Sequence, residues 1–142
     1  MQKLFNKKMW FLAVPLAMFI AGCSGSDNVV GGGGGGAPDT TAPTVSSTIP
    51  ADTATGVAIN QNITATFSEA MDSATITSTT FTVMQGATPV PGVVTYVGTV
   101  ATFNPTNDLA ANTVVTATIT TGVTDLVGNA LAANKTWSFT TE

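Results

Sequence analysis

The chain has 142 residues, one cysteine, no histidine, and charged side chains at only 8% of positions. One domain of ordinary size fits that length. Without histidine there is no acid–base group of near-neutral pKa and none of the commonest transition-metal ligand, a lone cysteine makes no internal disulfide or thiolate cluster, and a net charge of -4 argues against nucleic acid as a partner.

Three of the four basic residues, Lys3, Lys7 and Lys8, fall in the first eight positions, and an uncharged apolar run from Met9 to Ile20 follows. Twelve helical residues rise about 18 Å, short of a bilayer's hydrocarbon core of roughly 30 Å. A basic start, a short apolar stretch and small residues are the layout of a secretory signal rather than a spanning helix. Its end, Ile20-Ala21-Gly22-Cys23, resembles the lipobox of bacterial lipoproteins. That resemblance implies cleavage after residue 22 and acylation of Cys23, which becomes the new N-terminus and attaches the protein to a membrane. Ser24 after the cysteine, rather than Asp, resembles the outer-membrane sorting pattern, so outer membrane or cell surface is expected ahead of the inner membrane. Removing residues 1–22 leaves one base, Lys135, and all eight acids, a side-chain charge of -7.

Residues 23–42 hold the candidate lipidated cysteine and then six consecutive glycines at 31–36. Such a run does not repay the entropy of ordering it, so a disordered tether is predicted. No Lys-Ser/Thr follows the glycines, which excludes a phosphate-binding loop.

Residues 43–142 include 25 threonines, and their apolar residues alternate with polar ones. β-Branched residues at period two predict strands. In chain order these are Val45–Ile49, Ile63–Phe67, Phe81–Val83, Val94–Tyr96, Ala101–Phe103, Val115–Ile119 and Trp137–Phe139. Gly98 marks a hairpin between the fourth and fifth. One turn of helix is predicted at Asp72–Ile76, with Asp72 as its cap. An all-β, two-sheet sandwich of about seven strands follows. Its core is expected to centre on Phe67, Phe103, Trp137 and Phe139, with Ile63, Ile119 and Leu131.

Five blocks in this order, Pro43-Thr-Val, Pro50-Ala-Asp-Thr-Ala-Thr-Gly56-Val57, Phe67-Ser-Glu-Ala-Met-Asp72, Asp125-Leu-Val-Gly-Asn129 and Trp137-Ser-Phe-Thr-Thr141, resemble the bacterial Ig-like domain of the SbsA type. The resemblance covers residues 43–141. It implies an Ig-like sandwich serving as a structural, spacer or interaction module of secreted and surface proteins, with no catalytic residues to carry over. The chain departs from the family at Val115, where a tyrosine is usual, so a tyrosine-corner hydrogen bond is not expected there.

No catalytic residue and no cofactor is predicted, since Lys135 is the one base outside the signal. It precedes Trp137 on the final strand, where a lysine guards a sheet edge. Hard cations take six to eight oxygen ligands, and the loop acids Glu69, Asp72, Asp108 and Asp125 are the candidates for calcium. None sits in a D-x-D-x-D-G loop, and Asp125 with Gly128-Asn129 reads first as a turn. Tyr96 and Trp137 lie on the inward phase of their strands, which argues against an aromatic sugar platform. Val93, Val94 and Val97 are the candidate partner-binding edge. The expected whole is a non-catalytic, lipid-anchored cell-envelope protein with an unidentified protein or cell-surface partner. The alternative is the N-terminal leader of a longer secreted protein with a binding domain, such as an ice-binding or adhesion domain, or an enzymatic one.

Overall fold

The computed structural model describes residues 37–142. The signal segment, Cys23 and the six glycines lie outside the described residues. Eight strands follow in chain order: β1 Val45–Ile49, β2 Ile63–Phe67, β3 Phe81–Gln85, β4 Thr88–Pro89, β5 Gly92–Val97, β6 Val100–Pro105, β7 Val114–Ile119 and β8 Lys135–Thr140. They form two four-stranded sheets, β1-β2-β6-β5 and β4-β3-β7-β8, in which every neighbouring pair is antiparallel. Seven strands match the expected ones to within two residues at each end. The eighth, β4, is two residues long and has no alternation to betray it.

Period two explains the packing. In β2 the side chains of Ile63, Ala65 and Phe67 are buried while Thr64 and Thr66 are half-exposed. In β7 Val115, Ala117 and Ile119 repeat the arrangement. All seven expected core residues are buried, none more than 5% exposed. Three fully buried alanines, Ala65, Ala101 and Ala117, leave room in mid-sheet for large aromatics. Ala117 pairs with both Val83 and Trp137 across its two neighbouring strands. The residue that joins the aromatics is Phe81, which sequence reasoning placed on a strand but not at the centre. Its ring lies 5.7 Å from that of Phe103 in the other sheet and 5.9 Å from that of Trp137.

The connections carry the expected turn chemistry. Asp72 caps a 3-10 turn at Ser73–Thr75, its carboxylate accepting from the Ala74 N–H at 2.9 Å. Gly98 begins the two-residue β5–β6 loop with φ of 64°, a left-handed value that glycine adopts freely. β8 is a sheet edge, and Lys135 begins it. Most of that edge is covered by the 52–57 segment. The Thr53 N–H donates to the Ser138 carbonyl at 2.7 Å, and the Thr140 N–H donates to the Ala54 carbonyl at 2.7 Å.

Candidate functional site

At one end of the sandwich the loop after β2 meets the loop between β7 and β8. A bridge pairs Met71 with Asp125, and the Asp72 N–H donates to the Thr124 carbonyl at 2.9 Å. This juxtaposition brings Glu69 against Asp125, and Asp39 from the entering chain completes a cluster. Carboxylate oxygens of the three lie within 4.8 Å of one another. They line a depression of about 180 Å³ with Ala70, Leu126 and Val127.

Asp125 is the structural member of the group, with only 3% of its surface exposed. Its Oδ1 accepts from the Val127 N–H at 2.9 Å and the Asn129 N–H at 2.8 Å, and its Oδ2 accepts from Asn129 Nδ2 at 2.8 Å. Burial pushes its pKa up, but these donors, Asn129 foremost, outweigh burial and hold the carboxyl below its ordinary value. Glu69 moves the other way. Burial raises its pKa, and the neighbouring charges of Asp39 and then Asp125 add to the rise. Asn129 also donates to the Asp39 carbonyl at 3.0 Å, which ties the entering segment to the domain.

Chemically this is an acidic clasp. Three carboxylates carry six oxygens between them, the lower limit of the six to eight a calcium ion takes, and three N–H donors already engage those of Asp125. Of the four acids singled out from the sequence, the structure joins Glu69 and Asp125. Asp72 is engaged in capping, and Asp108 borders a separate shallow depression beside Gln85 and Pro89. Asp39 falls in the segment whose composition predicts tether, and no local pattern marks it as part of a cluster. Cys23 lies outside the described residues.

The aromatic candidates take structural roles. Trp137 is 1% exposed and carries its indole N–H into the core with no acceptor among the described residues. Tyr96 is half-buried, its ring edge-on to Phe67 at 6.3 Å. Its hydroxyl accepts from the Met71 N–H at 2.8 Å, which fastens β5 to the loop after β2. Val115 fills the core where a corner tyrosine is usual. Val93 and Val97 are exposed on β5, while Val94 turns inward and is half-buried.

Residues 39–141 match the profile of a family described as bacterial Ig-like domain. A comparison with curated protein sequences finds no match. Similar solved structures include the S-layer protein rSbsC(31-844), with a TM-score of 0.54 and 22% identity over 70% of this chain and 14% of that one. The N-terminal part of the bacterial S-layer protein SbsC is similar with a TM-score of 0.55 and 21% identity, over 72% of this chain and 24% of that one. CopC from Methylosinus trichosporium OB3b is similar with a TM-score of 0.55 and 12% identity, over 70% of this chain and 93% of that one. At these identities the likeness is one of fold. This chain spans a small part of the S-layer proteins and nearly all of CopC.

Proposed function

Because the chain belongs to the bacterial Ig-like domain family, we propose that it is a non-catalytic cell-envelope protein. In this reading acyl chains on Cys23 hold it at a membrane, and a glycine-rich tether at 24–38 sets one β-sandwich off the surface as a spacer or interaction module. The observation that carries the reading is the extent of the family match, which takes in nearly every residue after the glycines. Supporting it, the lone cysteine stands at the one position a lipobox requires. Several acyl chains anchor stably where one alone binds marginally. Among the described residues no helix is long and apolar enough to cross a membrane. A mature charge of -7 keeps such a module off anionic headgroups and away from nucleic acid. Its place is the outer membrane or cell surface, and its partner is a protein or another cell-surface component.

The test is membrane fractionation with radiolabelled palmitate. Wild type incorporates label and sediments with membranes, and Cys23→Ala does neither. Label retained by Cys23→Ala refutes the anchor. The short share of the S-layer chains that this chain covers favours a second reading, in which the module precedes a further binding or catalytic domain. Sequencing the source DNA past the Glu142 codon tests it, and an immediate stop codon refutes it.

A further inference from the structure

A sandwich of two open sheets has four edges, and each edge strand presents unpaired backbone groups unless something blocks it. Three are blocked here. β1 pairs with β2 through a register shift between Val45 and Ser47, a bulge that bends the strand. β4 is two residues long and ends in Pro89, which has no N–H. β8 is covered by the 52–57 segment, with the Ser138 N–H donating to the Asp52 carboxylate at 3.0 Å and the Val57 N–H to the Thr140 carbonyl at 3.1 Å.

β5 is different. It runs six residues, Gly92–Val97, without charge, proline or bulge, and pairs only with β6. Val97 and Val100 flank the two-residue loop and form its closing hydrogen-bonded pair. The Thr106 N–H donating to the Pro91 carbonyl at 2.9 Å fixes the same phase at the other end. Alternation therefore turns the backbone of Val93 and Thr95 toward β6 and leaves that of Gly92, Val94 and Tyr96 on the free edge. No hydrogen bond from another segment reaches those groups among the described residues. On the outer face stand Val93 and Val97, 61% and 78% exposed, either side of Thr95. Beside β5, between the sheets, a groove of about 390 Å³ opens among Met84, Val90, Gly92 and Phe103.

We propose that the free edge of β5 is a homotypic docking surface, on which a second copy of this chain adds its own β5 antiparallel about a two-fold axis at Thr95. The outer-face sequence is symmetric about that residue: Val, Thr, Val. With Thr95 facing its own copy, Val93 of each chain meets Val97 of the other, and Val94 meets Tyr96 in a hydrogen-bonded pair. A β-branched residue opposite an aromatic is a favourable cross-strand pair. The phase is self-consistent, because Val94 and Tyr96 both direct their backbone groups outward. Charge selects the same approach. Two copies at -7 repel each other, yet residues 73–107 carry no charge, and β3 to β6 all lie within that stretch. A ribbon this short buries little area, so the equilibrium is weak and concentration-dependent.

The proposal rests on reading the sandwich as an interaction module and not on the acyl anchor, so the fate of Cys23→Ala leaves it standing. It is tested on the full chain in detergent by sedimentation at matched buffer density. Wild type shows a monomer–dimer equilibrium. Thr95→Lys, which sets two ammonium groups opposite each other, weakens it by about tenfold or more. Mixing Thr95→Lys with Thr95→Glu restores association, which a misfolded variant does not. Thr95→Cys crosslinks to itself in oxidising buffer, since such a pair sits about 4.5 Å apart between Cα atoms, whereas Thr136→Cys on β8, an edge strand that the 52–57 segment covers at Ser138 and Thr140, does not. A wild-type chain that stays monomeric overturns the proposal, and so does a mixed-charge pair that stays apart or a Thr95→Cys chain that crosslinks no better than Thr136→Cys.

Discussion

Phe81→Ala tests whether the aromatic contact between the sheets holds this domain together. Phe81 is fully buried, lies 5.7 Å from Phe103 and 5.9 Å from Trp137, and pairs through β3 with Ile119. Removing a buried phenyl ring takes away its transfer free energy and leaves a cavity, together about 3–5 kcal/mol. The cavity term falls at the high end here, because the ring bridges two sheets and neither moves without disturbing its own hydrogen-bonded ladder. A domain of this size is stable by roughly 5–15 kcal/mol, so the loss is a third of the total or more. No disulfide offsets it, since no cysteine lies within the described residues. Urea unfolding followed by Trp137 fluorescence is the assay, with Leu126→Ala as the control. Leu126 is 72% exposed, and its truncation is expected to change stability by no more than about 0.5 kcal/mol. A Phe81→Ala loss below about 1 kcal/mol, or one equal to that of the control, refutes the reasoning.

Tyr96→Phe keeps the ring against Phe67 but leaves the N–H of buried Met71 without its acceptor, and is expected to cost about 1–3 kcal/mol in urea unfolding; an unchanged midpoint contradicts the latch. Gly92→Ala puts a methyl group into the Phe103 ring and 2.7 Å from the Asn104 carbonyl oxygen, so it is expected to destabilise by about 1–3 kcal/mol, and a neutral result shows that β5 shifts freely. Glu69→Gln is expected to raise Tm at neutral pH. The native Glu69 pKa is raised, so the native state holds the proton more tightly than the unfolded state and wild type loses stability as pH rises above the ordinary value of 4.5. Below that value the variant's advantage vanishes; an advantage that persists there, or calcium raising the Tm of wild type, contradicts the repulsive clasp.

What was legible in the sequence followed from local periodicity, and what was not followed from distance. Ile63–Phe67 and Val115–Ile119 announce their buried faces within five residues, and the structure keeps those faces. β4 escaped because Thr88–Pro89 is too short to alternate. Phe81 was placed on a strand, but its rank in the core depends on Phe103 and Trp137, which only sheet stacking brings near. Asp39 was unreadable for the same reason, since its contact with Asn129 spans 90 residues. The turn at Asp125 is legible in the sequence, because Asx chemistry with Gly128-Asn129 is local. Its meeting with Glu69 required the loops to converge.

Threonine gives this surface a property that lysine and glutamate do not. On the outer face of the second sheet the hydroxyls of Thr116 and Ser138 lie 3.0 Å apart, and those of Thr118 and Thr136 lie 3.2 Å apart. Such rows supply β propensity and polarity together without charge. The consequence appears at the edges. Natural sheets commonly deter unwanted pairing with charged edge residues, and this domain has one base, Lys135, at the start of β8. Its edges are therefore protected through the backbone, by the bulge in β1, the proline in β4 and the 52–57 segment over β8. Each device is specific to its own strand. β5 has none of the three and no charge in their place, so the same economy of charged residues that leaves the faces to threonine leaves one edge open to a strand.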